Sequence, residues 1–142
     1  MSKKGLCFED LSLGMAAESE AVVTEAVVQA FAEVSGDANP VHLDAAYAAT
    51  TPFKERIAHG MLSAAYISAL IGMKLPGPGS IYVSQTMAFR RPVKLGARVR
   101  TRVEIAALDA EKARATLACV CSVDGKSVVE GEAVIMVPRR GA

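Results

Sequence analysis

The stretch SGDANPVH, residues 35–42, places an acid and an imidazole in one short segment. Asp37 and His42 are separated by Asn39 and Pro40, among others. A proline disfavours the helical conformation at the residue before it and removes a backbone donor. The two side chains are therefore expected on either side of a bend rather than on one helix face. A carboxylate and an imidazole that turn toward one point can hold a water molecule and move its proton, which is general acid–base chemistry.

The same residue types are also compatible with an ordinary turn. Gly, Asp, Asn and Pro are common turn formers, so Asp37 could simply accept a backbone N–H at a helix end, and His42 could be a surface residue. The chain has only two histidines and no cluster of ligands with metal-binding spacing. No metal site is therefore predicted.

The tripeptide HGM follows at residues 59–61 and opens the most apolar segment of the chain. Amides in the first turn of a helix have no partner within the helix and carry a partial positive charge. Such an amide can stabilise an oxygen that gains negative charge during a reaction. Gly60 would let a ligand approach the backbone closely, although glycine is also an ordinary residue for the start of a helix.

Helices are predicted in the first half of the chain. Thr24 is a suitable N-cap for a helix of about a dozen residues that ends near Gly36, and Asp44 can cap a second, short one. Residues 60–74 are apolar on nearly every side, which is typical of a helix enclosed on all faces. The PGPG sequence at 76–79 ends this helix.

Strands are predicted in the second half, where Val, Ile, Thr and Tyr are common. The expected strands cover residues 80–90, 97–108, 112–123 and 127–137, with Asp124-Gly125 as a two-residue hairpin between the last two. Helices followed by hairpin-linked strands indicate an α+β fold in which an antiparallel sheet wraps around the apolar helix. No repeat or linker divides the chain, so residues 1–142 are predicted to form a single domain.

Composition limits the possible partners. The net charge of +1 gives no broad electrostatic reason to expect nucleic acid or an anionic membrane as a partner. Three cysteines without C-x-x-C spacing predict neither a disulfide framework nor a zinc site, and they suit a reducing cytoplasm. The N-terminal MSKKGLCFEDLSLG lacks the apolar run of a signal peptide. A cytoplasmic protein is expected.

The span from Phe31 to Leu62 resembles the MaoC-like, hydratase 2 family of (R)-specific enoyl-CoA hydratases, and it contains that family's complete S-G-D-x-N-P-x-H motif. The similarity continues through LPGPGSIYVSQTMAFRRPVKLGARV. The resemblance implies a hot-dog fold and the hydration of trans-2-enoyl-CoA to (R)-3-hydroxyacyl-CoA. It also implies a homodimer, with no cofactor or metal beyond the CoA of the substrate.

The resemblance assigns roles to five positions. Asp37 and His42 would be the dyad that holds the nucleophilic water, and Asn39 would support its geometry. The Gly60 N–H would bind the thioester carbonyl oxygen, and Ser68 would place a hydroxyl near the active site. His42 is the favoured base, although its role and that of Asp37 could be exchanged. A single dyad that removes and returns the proton predicts syn addition.

Substrate-binding residues are expected on the apolar helix and near Pro92. Leu62 and Ile71 are candidates for the wall of an acyl slot, with plain core packing as the alternative. Arg90 and Arg91 could meet the phosphates of CoA, since guanidinium groups suit phosphate geometry, but solvated charges at strand ends are also common. Three alternative functions stay open: a hot-dog acyl-CoA thioesterase, a dehydratase acting on another CoA or acyl-carrier-protein thioester, and a non-catalytic acyl-binding subunit.

Overall fold

The computed structural model describes residues 3–142, in which one strand precedes the helices and five strands follow them. The helices are α1 (Glu25–Ser35), α2 (Pro40–Leu43), α3 (Ala45–Ala49) and α4 (Gly60–Met73), preceded by a 3-10 turn at Phe8–Asp10. The strands are β1 (Ala16–Val22), β2 (Ile81–Gln85), β3 (Ala88–Phe89), β4 (Arg98–Asp109), β5 (Arg114–Val123) and β6 (Lys126–Met136). This order confirms the predicted α+β class.

One antiparallel sheet wraps around α4. The strand order is β1-β4-β5-β6-β2, with β3 paired to β6, and α4 packs against β4, β5 and β1. Alternate residues of the long strands point to the helix, and Val103, Leu117 and Ile135 are completely buried there beside Ile67. Each such side chain contributes about 1.5–3 kcal/mol by leaving water. The arrangement confirms the predicted hot-dog fold.

The helix caps predicted at Thr24 and Asp44 are confirmed. The Thr24 side chain accepts a hydrogen bond of 3.2 Å from the Val27 N–H at the start of α1. This helix ends at Gly36, which has a φ of 79°, in the left-handed region that glycine adopts readily. The Asp44 carboxylate accepts from the Tyr47 N–H, at 3.1 Å, at the start of α3. The caps therefore fix both ends of the segment that carries SGDANPVH.

This segment contains a helical turn that the sequence argument did not expect. Asn39 has an extended backbone (φ −53°, ψ 128°), as the following proline requires. Pro40 nevertheless begins α2, because the first helical position has no need of an N–H donor. The Asn39 carboxamide oxygen accepts from the Val41 N–H at 3.0 Å and caps the turn. His42 therefore lies on a short helix, and Asp37 lies in the loop before it.

The predicted hairpin is confirmed, whereas the predicted strand over residues 80–90 is not continuous. Asp124 and Gly125 form the predicted β5–β6 turn, with φ values of 51° and 76°, as in a type I′ turn. The expected strand over 80–90 is instead two strands, because β2 ends at Gln85. After this break, the Thr86 N–H donates to the Glu132 carbonyl of β6 at 2.9 Å.

The apolar helix α4 is not enclosed on all faces, which corrects the sequence prediction. Met61, Ala65, Ser68 and Gly72 are exposed and recur at the three- and four-residue spacing of one helix face. The predominantly apolar sequence of α4 therefore serves two sides: one packs against the sheet, and the other is open in the single chain. Among residues 3–142, no helix combines the length and apolar character needed to span a bilayer.

The outer face of β1 and β4 carries paired charges. Arg100 lies 2.9 Å from the Glu20 carboxylate, and Arg102 lies 3.0 Å from that of Glu18. The hydrogen bond from Arg100 is the main reason why the pKa of Glu20 lies below its usual value. Exposed pairs of this kind contribute little to stability. Their main effect is to make the outer surface of the β1 end of the sheet strongly polar.

Candidate active site

Asp37 and His42 come together as predicted. The Nε2 atom of His42 lies 4.0 Å from the Oδ2 atom of Asp37. The side chain of His42 is 10% exposed and that of Asp37 is 52% exposed. The other carboxylate oxygen of Asp37 accepts from the Asn39 N–H at 3.1 Å. Asn39 therefore supports both groups: its backbone N–H holds Asp37, and its side chain caps the helix of His42.

The other ring nitrogen of His42 fixes its tautomer. Nδ1 lies 2.7 Å from the Ile57 carbonyl oxygen, which can only accept, so Nδ1 carries the hydrogen. A neutral His42 then has its lone pair on Nε2, the atom that faces Asp37. The separation of 4.0 Å is too long for a direct hydrogen bond. A third group, such as a water molecule, could therefore contact both the Asp37 carboxylate and Nε2 of His42. The lone pair of Nε2 can accept a proton from that group.

Arg56 is a supporting residue that sequence analysis missed. Its Nε–H donates to the His42 carbonyl at 2.7 Å, and its guanidinium holds both carboxylate oxygens of Glu25 at 2.6 and 3.0 Å. Arg56 thereby ties α2 to the start of α1. No pattern in the sequence indicates this role, because Arg56 is far along the chain from both Glu25 and His42.

His59 lies against both members of the pair. Its Nε2 is 2.8 Å from the Asp37 carbonyl oxygen. Its ring stacks on that of His42, with centroids 3.8 Å apart and planes at 27°, and it also contacts the Phe31 ring at 4.9 Å. In the sequence, His59 is notable only as the residue before Gly60. Its contacts depend on the folded arrangement of α1, α2 and α4.

Asp37, His42 and His59 also form a possible metal-ligand group, since one ligand atom from each lies within 4.8 Å of the others. The stacking of the two imidazoles is a poor arrangement for coordination. Ring lone pairs lie in the ring planes, and nearly parallel planes do not direct them to one ion. Nδ1 of His42 and Nε2 of His59 are also engaged with carbonyl oxygens. The expectation of a site without metal stays a prediction, and this geometry favours it.

A cavity of about 370 Å³ begins beside His59. Gly60 and Ser63, from the first turn of α4, line it together with His59. Most of the remaining wall is apolar and comes from the segment around residues 53–58, from residues 89–93 and from Val129. Asp37 and His42 do not line it in the single chain, whereas His59 lines it and contacts both of them.

The helix residues predicted for the acyl slot lie elsewhere. Leu62 and Ile71 are buried in the core between α4 and the sheet, so the alternative of plain core packing is what the single chain shows. Ser68 lies on the exposed face of α4 and does not line the cavity, whereas Ser63 does. The role of Ser68 stays a prediction. Because α4 is apolar nearly all round, its periodicity could not select the side that faces the cavity.

Arg90 and Arg91 both line the cavity. Nε of Arg90 lies 3.6 Å from the Glu130 carboxylate, and Nη1 of Arg91 donates to the Ser127 carbonyl at 2.5 Å. Each guanidinium has further donors. Two positive groups therefore lie at the edge of a largely apolar cavity, and a phosphate contact stays a prediction.

A side chain at Gly60 would require the Phe89 ring to move. A Cβ atom built on it would lie 2.8 Å from Cε1 of the Phe89 ring. Phe89 is 54% exposed and also lines the cavity. The glycine therefore allows the backbone at the start of α4 to form part of the cavity wall, where first-turn amides are available to a ligand.

The buried thiols are unsuitable as nucleophiles. Cys119 and Cys121 lie on the inward face of β5 and are fully buried, as their spacing on a strand predicted. Burial raises the pKa of Cys119 to about 11 and raises that of Cys121 above its usual value. Both are thiols at neutral pH, and the thiolate is the reactive form. Neither cysteine is therefore a candidate nucleophile at neutral pH.

Known proteins share this fold and sequence. The MaoC like domain model matches residues 12–124. The (R)-specific enoyl-CoA hydratase of Rhodospirillum rubrum is 48% identical over 134 residues, covering 94% of this chain and 93% of that protein. The 3-hydroxybutyryl-CoA dehydratase of Methylorubrum extorquens is 48% identical over 135 residues, which cover 95% of this chain and 86% of that protein. The structure of an R-hydratase from Pseudomonas aeruginosa, in its unliganded form, gives a TM-score of 0.91 at 52% identity. The match covers 96% of this chain and 88% of that one. The chain belongs to the MaoC-like family that its SGDANPVH motif indicated.

Proposed function

We propose that this protein hydrates trans-2-enoyl-CoA to (R)-3-hydroxyacyl-CoA. The observation that carries the proposal is the His42 Nε2 atom, held 4.0 Å from the Asp37 carboxylate. Next to this pair, His59 and Gly60 lead into an apolar cavity. The names of the relatives from Rhodospirillum and Pseudomonas support the same reaction. The dehydratase name of the Methylorubrum relative describes the reverse direction, which the same groups would catalyse.

The reaction needs one base and one oxyanion donor. The water oxygen forms a bond to the β-carbon while Nε2 of His42 takes the proton from water. The electron pair of the double bond moves toward the thioester, whose carbonyl oxygen gains negative charge. The Gly60 N–H, at the start of α4, is the donor for this oxygen, and removing such a donor typically lowers kcat by about 10²–10³-fold. A proton delivered to the α-carbon completes the addition.

The stereochemistry follows from having one dyad. The Asp37 carboxylate can hold the same water as His42, and the one proton that Nε2 takes from this water is returned to the α-carbon, either by the imidazolium itself or through Asp37. Because the hydroxyl and the new hydrogen then come from one side of the substrate plane, the addition is syn. The hydrogen on Nδ1 of His42 favours this residue as the base, and Asp37 as its partner.

The cavity supports an acyl-CoA substrate. Its apolar wall suits the acyl chain, and Arg90 and Arg91, which also line it, would contact the phosphates of CoA. Guanidinium–phosphate hydrogen bonds are among the stronger ones, because both partners are ionised. The site as described calls for no separate cofactor, since CoA is part of the substrate.

A second copy of the chain would cover the surfaces that the single chain leaves open. Strand β2 lies at an edge of the sheet, where Ile81 and Val83 are exposed, and the exposed face of α4 is also uncovered. Pairing of β2 with its copy would satisfy the free backbone groups of this edge. We expect a particle of twice the 14.9 kDa chain mass by light scattering.

Two variants test this dimer. Ala65→Arg places a charge on the exposed face of α4 and should shift the particle to a single chain. Val34→Arg adds the same charge to α1, at a position that is also exposed, and should leave the mass unchanged. A wild-type particle of one chain mass at micromolar concentration would contradict the proposal.

Turnover of crotonyl-CoA with chiral analysis of the product tests the function. We expect the conjugated absorbance to disappear without release of free thiol, and the product to be (R)-3-hydroxybutyryl-CoA. Crotonyl-pantetheine, which lacks the nucleotide phosphates, should be hydrated with a higher KM because the contacts of Arg90 and Arg91 are lost. An (S) product, or no hydration, would contradict the proposed reaction.

The same assay separates the alternatives. A thioesterase would release free CoA, and a non-catalytic acyl-binding subunit would leave the absorbance unchanged. If the natural substrate is bound to acyl-carrier protein, the carrier-bound crotonyl thioester should be turned over faster than crotonyl-CoA.

A further inference from the structure

We infer that His59 is a positioning residue of the proposed dyad, which it holds in place from the wall of the cavity. The inference rests on the proposed hydration. His59 is 3% exposed and lines the cavity. Within residues 3–142 it is also the cavity residue for which contacts with both Asp37 and His42 are found. Its imidazole therefore connects the wall of the cavity with both acid–base groups.

The contact with Asp37 fixes the backbone from which the carboxylate projects. The Asp37 carbonyl oxygen can only accept, so the Nε2 atom of His59, at 2.8 Å, is the donor. The carboxylate itself is held by the Asn39 N–H. Asp37 is thus held at two points, one on its backbone and one on its side chain.

The contact with His42 fixes the plane of the base. The Nδ1–H of His42 donates to the Ile57 carbonyl, which sets the direction of the ring but still allows it to tilt about that bond. The ring of His59 stacks on it, with centroids 3.8 Å apart, and opposes this tilt. The lone pair of Nε2 then has one direction, which general-base catalysis requires.

Helix stability does not account for an imidazole at position 59. His59 is the N-cap residue of α4, yet its side chain makes no capping hydrogen bond. The N-cap side chains of α1, α2 and α3 each accept one from the helix they begin. The remaining nitrogen of His59, Nδ1, is buried without a hydrogen-bond partner among the described residues. An Asn would cap α4 better, so the dyad contacts are what this imidazole provides.

Two substitutions separate positioning from folding. In His59→Asn the side chain can cap α4 but does not reach Asp37 or cover His42. We expect the variant to stay folded, although the buried ring contacts are lost, with kcat for crotonyl-CoA lower by about tenfold to a hundredfold. KM should stay within about twofold, because substrate binding is not the lost interaction. In His59→Gln the amide can still donate to the Asp37 carbonyl, and part of the lost kcat should return.

Thr24→Asn is the matched control, since it changes the N-cap of α1 and should leave kcat unchanged. A wild-type kcat in His59→Asn, a loss confined to KM, or no recovery in His59→Gln would overturn the inference. If His59→Asn does not fold, His59→Phe decides: it keeps a ring but no donor, so a reduced kcat supports the inference and a wild-type kcat overturns it. A wild-type protein that is inactive on crotonyl-CoA would instead overturn the proposed function itself.

Discussion

Asp37→Asn and His42→Ala are each expected to lower kcat for crotonyl-CoA hydration by about 10²–10⁴-fold, the usual contribution of a positioned acid or base. Asn at position 37 can still accept from the Asn39 N–H, so the turn is kept while the carboxylate charge is lost. Ala at position 42 removes the Nε2 lone pair. Initial rates at saturating substrate, with circular dichroism and thermal melting of each variant, measure the effect and confirm that the fold survives.

Asp44→Asn is the control for the first of these variants. It makes the same chemical change seven residues away in the sequence, at the N-cap of α3, where Asn caps a helix as well as Asp. Its kcat should equal that of the wild type. Full activity in Asp37→Asn or in His42→Ala would exclude the proposed dyad.

Gly131→Ala is expected to lower the free energy of unfolding by about 3 kcal/mol, at the upper end of the usual cost of overpacking. A Cβ atom at Gly131 would lie 1.9 Å from the Thr86 carbonyl oxygen and 3.2 Å from the Met87 Cα. These are backbone atoms at the break between β2 and β3. Hydrogen bonds between Thr86 and Glu132 hold this crossing, so it cannot move aside without losing them. Chemical denaturation measures the change.

Gly60→Ala gives the matched comparison, because it also adds one methyl group at a crowded glycine. The new Cβ would meet the Phe89 ring, a half-exposed side chain that can rotate away. We expect a loss of less than about 1 kcal/mol, in the range of surface substitutions. Equal losses in the two variants would show that the contact with the Thr86 backbone is not what requires glycine at 131.

The features that sequence analysis predicted correctly are set by local interactions. The caps at Thr24 and Asp44 each depend on a hydrogen bond that spans three residues. The Asp124-Gly125 turn depends on two residues that tolerate positive φ. Asp37 and His42 are close in sequence, so the loop between them could be read directly, although the helical turn that starts at Pro40 was missed.

The features that it did not predict depend on distant contacts. The break after Gln85 occurs where the chain crosses Gly131, far along the sequence. Arg56 reaches Glu25 and His42, and no spacing rule connects these positions. Leu62 and Ile71 were assigned to the acyl slot because an apolar helix gives no sign of which side meets the sheet. The role of Ser68, the absence of a metal and the cytoplasmic location stay predictions.

The paired charges on the outer face of β1 bear on how far copies of the chain can associate. The sheet has two ends, one formed by β1 and the other by β2 together with the short β3. Beside the β1 edge lie alternating glutamates and arginines, a kind of surface that discourages the addition of another strand. If copies pair only through the β2 end of the sheet, each pairing uses the free edge of both partners at that end. Growth then stops at a closed pair, and the sheet does not extend into a fibre.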